Sequence, residues 1–275
     1  MIDFKIDDSK CIKCGSCVKD CPVSIITMKE GEIPKIAPEN EKACMGCQHC
    51  LAICPTGALS IMGVNPDDCV STSAQATPES VDALIRSRRT VRQFKKENVS
   101  SEKLQKLYKA AANAPTGKNT RTVNLIVIDD IAEMNKLREK AISMIEDKSS
   151  KGTLGEQWSF FASVAKAYRN GNDIIFRGAP HLIIATLPED GPCPDADGMI
   201  ALSYIELMAA SLGLGTVWLG FFMYLMQAVP EVKDLLNVPE GHKIAYPLLV
   251  GEPSVKYHRG VIRDEIPVNK LSFGD

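Results

Sequence analysis

The sequence predicts an α+β protein in two parts, a small cysteine-bound module followed by a larger domain of mixed helices and strands. Three observations carry this. Cys11, Cys14, Cys17, Cys21, Cys44, Cys47, Cys50 and Cys54 crowd the first 54 of 275 residues, leaving only Cys69 and Cys193 beyond. From residue 80 onward, helical and strand periodicities are interleaved without the regular βαβ alternation of a doubly wound sheet. Between the two lies GVNPDDCVSTSAQATPES, polar and short of large apolar residues, as an interdomain connection is. The expected boundaries are therefore 1–63, a linker at 64–79, and 80–275.

Composition narrows the partners. A 45% apolar chain of this length is globular, and a formal net charge of −2 lacks the positive field that nucleic-acid or anionic-membrane binding needs. No nucleic-acid partner is expected. MIDFKIDDSK has no basic stretch followed by an apolar one, so the thiols are expected in a reducing, cytoplasmic compartment and disulfides are the wrong reading of them. The uncharged run from Leu207 to Pro230 is long enough to cross a bilayer. Gly213, Gly215 and Gly220 interrupt it, however, and neither flank is rich in Lys or Arg, so a buried helix followed by a core strand is expected and no membrane span.

The first element is an internal repeat. Residues 11–21 read CIKCGSCVKDC and residues 44–54 read CMGCQHCLAIC, each followed by proline, so both copies are C-x2-C-x2-C-x3-C-P. Such loops aim three thiolates at one iron–sulfur centre and send the fourth elsewhere, and four soft thiolates are what a four-iron cluster needs. Structural zinc would use C-x2-C pairs and leave the third cysteine without a role. The stretch resembles bacterial two-cluster ferredoxins over about the first 63 residues. The resemblance implies crosswise ligation of two 4Fe–4S clusters, one by Cys11, Cys14, Cys17 and Cys54, the other by Cys44, Cys47, Cys50 and Cys21. Phe4 is the only aromatic before residue 63, so the clusters are expected to supply much of the cohesion. His49 lies between two ligands, but all four cysteine positions are filled. Cys69 and Cys193 are read as ordinary thiols.

The larger domain opens at Thr77, a cap for a helix whose first position is Pro78 and which runs to Arg88. Ser100 caps a second helix with Leu104, Leu107, Tyr108 and Ala111 at helical spacing, stopped by Ala114-Pro115. A strand follows at 123–128, then helical spacing in Met134, Leu137, Ala141 and Ile145. The Gly- and Ser-punctuated stretch 148–173, with Trp158, Phe160, Phe161 and Tyr168, reads as a mobile aromatic lid. Strands are expected at 181–187 and 243–250. A long helix at 197–212 is apolar nearly all round, which implies burial on several sides, including a subunit interface. GLGTVWLG fails as a dinucleotide fingerprint, since it follows a helix and lacks the downstream acidic residue.

Four stretches of this domain point to one chemistry. RSRRTVRQF, 86–94, sets several fork-shaped arginine donors around Thr90, which suits a phosphate dianion, although alone it also reads as an exposed basic helix end. NAPTGKNT, 113–120, is a turn-forming loop that lays backbone groups and the Asn119 amide against a flat polar ring. GLGTVWLGFF, 213–222, lets backbone approach a ligand closely. The tail GEPSVKYHRGVIR adds Arg259 and Arg263.

Together with R-G-A-P-H-L-I-I at 177–184 and G-x-P at 251–253, these stretches resemble the nitroreductase family of FMN-dependent oxidoreductases over about residues 80–265. The whole chain thus looks like a two-cluster ferredoxin-like domain followed by an α+β nitroreductase-like domain. The resemblance implies a homodimer with FMN at the interface. It implies that Arg88, Arg89 and Thr90 hold the phosphate with Arg263 and Arg259, and that Arg92 lies near the pyrimidine edge, where negative charge develops. It implies contacts from Pro115, Thr116, Gly117 and Asn119, and a hydrogen bond to N5 from the backbone around Leu219 and Gly220. Where many relatives read N-S-Q-P, this chain has Asn119-Thr120-Arg121-Thr122.

No Ser-His-Asp, Cys-His or paired-carboxylate arrangement appears, so no catalytic side chain is named and the cofactors carry the chemistry. The expected function is electron transport in which a ferredoxin or another one-electron donor loads the clusters. They relay electrons singly to FMN, which reduces a nitroaromatic, quinone or activated alkene. Two alternatives are a non-catalytic electron carrier or redox sensor docking a partner protein, and a reductive dehalogenase or ene-reductase on the same fold.

Overall fold

The cysteine repeat dictates the local structure of the N-terminal part. A computed structural model describes residues 2–274, and the chain divides into two units, Met1–Gln75 with Thr116–Thr120, and Ala76–Pro115 with Arg121–Asp275. In the first unit, β1 (Phe4–Ile6) leads into the first cysteine loop and α1 (Ser16–Lys19), then β2 (Ile26–Thr27), β3 (Lys35–Ile36), the second cysteine loop with α2 (His49–Ala52), and β4 (Leu59–Ile61). β1 pairs antiparallel with β4, and β2 with β3. Three thiols within a short loop can face one centre only if the chain reverses its curvature. Equivalent positions of the two repeats accordingly share left-handed backbone: Lys13 and Gly46, Gly15 and Gln48, Ser24 and Gly57. The apolar core is small and aliphatic, Ile25, Ile26, Leu51, Leu59 and Ile61 beside the buried Cys17 and Cys50.

In the second unit both helix starts follow from local side-chain chemistry. The Thr77 hydroxyl accepts the Ser80 N–H at 3.2 Å to begin α3 (Pro78–Ser87), and Ser100 accepts from Lys103 to begin α4 (Ser101–Ala112). β5 (Asn124–Ile128) follows, then α5 (Ile131–Ser150), opened by the Asp130 carboxylate on the N–H groups of Ala132 and Glu133. Within the stretch expected as a mobile aromatic lid, 148–173, lies α6 (Phe160–Arg169), which sinks Phe161, Val164 and Ala165 into the core. Arg169 ties it to Glu139 and Glu146 of α5 at 2.7 and 2.9 Å. Helical spacing of Phe161, Val164, Ala165 and Tyr168 was present in the sequence, and the surrounding glycines obscured it.

β6 (His181–Pro188), α7 (Asp197–Ser211), β7 (Gly215–Trp218), α8 (Gly220–Ala228) and β8 (His242–Gly251) complete the unit. The sheet order is β5-β6-β8-β7, antiparallel throughout. The uncharged run at 207–230 therefore holds the end of α7, strand β7 and then α8, a second helix beyond the helix and strand expected there. Among the described residues no helix is long and apolar enough to cross a membrane.

Alternation along β6 separates two cores. Leu182 and Ile184 meet Met134, Leu137, Ile142 and Ile145 of α5, Phe161 of α6, and Phe222 and Leu225 of α8. Ile183 and Ala185 meet Leu104 and Leu107 of α4 and Leu202, Ile205 and Ala209 of α7. α7 comes close to the sheet because Gly198 has no side chain: a Cβ there would lie 2.5 Å from the Ala245 Cβ.

The turn into β6 is held by a buried ion pair. Arg138, 4% exposed, donates from Nε to Asp173 at 2.9 Å and from Nη2 to the Ala179 carbonyl. Asp173 also accepts the N–H groups of Phe176 and Gly178 at 2.8 and 2.9 Å. Arg138→Leu removes the cation and leaves a carboxylate in an apolar setting, so this unit is expected to lose about 3–5 kcal/mol. Both tryptophans, Trp158 and Trp218, lie in this unit, so denaturant unfolding followed by tryptophan fluorescence reads it directly, and an unchanged midpoint would contradict the assignment.

Candidate functional site

The eight N-terminal cysteines separate into two sets of four. Cys11, Cys14, Cys17 and Cys54 line one pocket, and Cys21, Cys44, Cys47 and Cys50 line another. Among the described residues no three Cys, His, Asp or Glu side chains converge tightly enough to share a single metal ion. A lone zinc ion would draw four sulfurs to about 2.3 Å; thiols that share a pocket without converging on one point fit a polynuclear cluster. Burial pushes the Cys50 thiol up to about 11 and the Cys17 thiol upward, while the Ser16 hydroxyl beside Cys14 lowers that thiol. A metal taking the two buried thiols as ligands would have to displace their protons, which would make its binding pH-dependent. His49 stands 3.3 Å from Asp20 and lines the second pocket with Gln48.

The arginine stretch forms a second site, in the C-terminal unit. A solvent-open groove with about 1410 Å³ of empty space is lined by Arg86, Arg88, Arg89, Gly260 and Arg263, among others. It joins the end of α3 to the C-terminal tail. Arg88 donates from Nη1 to Glu206 at 2.9 Å, and that carboxylate also accepts the Thr216 hydroxyl at 3.3 Å. Arg89 spends Nη1 and Nη2 on the carbonyls of Arg88 and Arg86, at 2.7 and 2.8 Å, which caps the negative end of α3. Its Nε is buried without a partner, an orphaned donor at the edge of a groove rich in guanidinium groups. Thr90 is set by a parallel bridge to Thr216, and its carbonyl accepts the Tyr257 hydroxyl at 3.3 Å. Arg92 and Arg259 are exposed, and neither lines the groove.

The remaining predicted residues fall in different places. The Leu219 N–H is taken by the Pro247 carbonyl at 3.0 Å. Gly220 opens α8 without a side-chain cap, and a Cβ there would lie 2.8 Å from the Tyr246 hydroxyl. Of the NAPTGKNT loop, Pro115 belongs to the C-terminal unit and Thr116–Thr120 to the N-terminal one, where the Asn119 amide donates to the Met45 carbonyl at 2.9 Å. Glu206 was missed by sequence reasoning. Its signal was there to be read, because it and Asp197 are the only charged residues of α7.

The G-x-P stretch also has a structural role. Segment 93–95 runs beside 252–254, with the Lys95 N–H on the Glu252 carbonyl at 2.8 Å, and the Glu252 carboxylate receives Lys103 and Lys95 at 2.8 and 2.9 Å.

Comparison with known proteins places these sites in context. Residues 85–252 match the Nitroreductase family, and residues 10–58 match a 4Fe–4S dicluster domain. An NADPH-dependent oxidoreductase of Staphylococcus haemolyticus is 27% identical over 180 residues, 62% of this chain and 64% of that protein. An iodotyrosine deiodinase of Nematostella vectensis is 27% identical over 178 residues, 62% and 66% respectively. This chain thus spans just under two thirds of the length of both. The crystal structure of a nitroreductase with bound FMN from Desulfitobacterium hafniense superposes with a TM-score of 0.55 at 23% identity, covering 72% of this chain and all of the other.

The two lysines hold the Glu252 carboxyl down to about 2, against its ordinary 4.5. The unfolded chain therefore takes up this proton more readily than the folded one. The contribution is fully present above pH 4.5 and is lost as pH falls through about 2. Glu252→Gln is expected to flatten that acid limb and to leave the pH dependence between 6 and 8 unchanged, as measured by urea midpoints across the pH series.

Proposed function

Because this chain belongs to the nitroreductase family and carries a 4Fe–4S dicluster domain, we propose that it is an FMN-dependent oxidoreductase fed with electrons by two 4Fe–4S clusters. The observation that carries the reading is the division of eight thiols into two four-cysteine sets on a chain whose other unit presents a guanidinium-lined groove. Bound there, the clusters supply single electrons and the flavin supplies the two-electron reduction of a small organic acceptor such as a nitroaromatic, quinone or activated alkene.

The chain's own residues then have defined tasks. Cys11, Cys14, Cys17 and Cys54 hold one cluster, and Cys21, Cys44, Cys47 and Cys50 the other. Arg88 and Arg263 face the FMN phosphate, and the Arg89 Nε finds there the acceptor it lacks. Glu206 keeps one end of the Arg88 guanidinium occupied, which fixes the orientation of the rest. Arg92 stabilises negative charge on the ring, and the Gly220 N–H donates to it. The half-buried Met199, Ile200, Leu207 and Met208 of α7, with the exposed Tyr204, support a homodimer formed on that helix. A second reading, reductive dehalogenation on the same site, is favoured by the likeness to the iodotyrosine deiodinase.

Anaerobic purification should return about eight irons and one FMN per chain. A colourless, zinc-loaded protein would sink the reading. Reduction of the clusters with ferredoxin or dithionite should bleach the flavin, and an oxidised flavin beside reduced clusters would rule out the relay. Arg88→Gln should weaken FMN binding roughly 10- to 100-fold, the value of a charge-assisted hydrogen bond, as read by flavin fluorescence on titrating the flavin-free protein.

A further inference from the structure

The two cysteine repeats share spacing and backbone, yet their loops stand in different surroundings. In the first, Ile12, Lys13 and Cys14 are exposed, Ile12 to 63%. In the second, Met45, Gly46 and Cys47 are half-buried. One source of cover is visible. Segment Thr116–Thr120 packs as part of the same unit, and the Asn119 Nδ2 donates to the carbonyl of Met45, the residue next to Cys44. Among the described residues no side chain does this for Ile12, the equivalent position of the first repeat.

A left-handed turn places Asn119 for this contact. Its φ is +54° and that of Lys118 is +52°, a region that Asn enters more readily than most side chains. A carbonyl inside a ligand loop is a fixed dipole beside a centre whose charge changes on reduction. Pairing its oxygen with a donor, and excluding water from the loop, alters the field at that centre alone, and such outer contacts set the potential of a cluster.

We propose that Asn119 is a positioning residue of the second cysteine loop, clamping the Met45 carbonyl so that the cluster on Cys21, Cys44, Cys47 and Cys50 is electrostatically unlike its twin. The inference rests on the two-cluster reading of the thiols. It gives the two centres different reduction potentials although their ligand motifs are the same, and it assigns the asymmetry to a side chain outside both motifs.

The test is a redox titration of the full-length protein, loaded with iron, sulfide and FMN, followed by electron paramagnetic resonance. Asn119→Gly keeps the left-handed backbone without penalty and deletes the amide. One of the two cluster signals should shift by about tenfold in its reduction equilibrium, about 59 mV for one electron, while the other stays in place. The shifted signal should be the one altered by Cys47→Ser and untouched by Cys14→Ser. Equal shifts of both signals, no shift of either, or a shift in the Cys14-dependent signal overturns the proposal. So does loss of FMN with both potentials unchanged, which would assign Asn119 to the flavin instead. Iron per chain, measured on the unaltered protein in parallel, identifies a failure of cluster loading, which would overturn the two-cluster reading along with this one.

Discussion

Strand β6 has to bury both of its faces, and the C-terminal unit is arranged around that requirement. A strand with one wet face would alternate apolar and polar residues; HLIIATL instead needs a helix layer on each side. α5, α6 and α8 cover one face, α4 and α7 the other. The polar groups at the ends of the strand must then be satisfied locally. His181 is fully buried, accepts the Val99 N–H through Nε2 at 2.8 Å but leaves Nδ1 without a partner, and desolvation lowers its pKa. Thr186, also buried, meets Asn124 and His242. Arg138 closes the Ala179 carbonyl just before the strand. With β6 fixed, β8 and β7 follow by register, and β7 delivers Thr216 to Thr90 and Gly220 to the start of α8.

The N-terminal unit solves a different problem with few apolar residues. Its strands are only two or three residues long, and its helices are single turns. Such elements are marginal in isolation. Two of the thiols, Cys17 of α1 and Cys50 of α2, sit inside the small aliphatic cluster. Two of the eight thiols thus lie where apolar side chains are buried, whereas in the C-terminal unit the packed core and the guanidinium-lined groove are built from different residues.

Features that were legible in the sequence are those written in neighbouring residues. Thr77 and Ser100 announce helices because a cap bonds within three residues, and each cysteine loop announces itself by spacing. Strand β6 shows as an apolar run. α8 did not show, because GFFMYLMQA is apolar at nearly every position and carries no period. α6 was hidden by the glycines and serines around it. Long-range pairings were also illegible: Arg88 and Glu206 are 118 residues apart, and Asn119 and Met45 are 74 apart. Neither pair has a local signature, since each depends on which surfaces the fold brings together. The arginine stretch was readable as a phosphate candidate, but only coordinates show Arg89 largely spent on the carbonyls of α3.

The shared left-handed positions of the two repeats let each copy be read against the other. Each equivalent pair holds one glycine and one larger residue: Gly46 against Lys13, Gly15 against Gln48, Gly57 against Ser24. The glycines are thus distributed unevenly between the two repeats. At each of the three points one copy keeps the residue that the backbone prefers, while the other accepts about 1–2 kcal/mol of conformational strain. Each half therefore serves as an internal reference for the other, showing which residue relaxes the same backbone position and where a larger side chain stands instead.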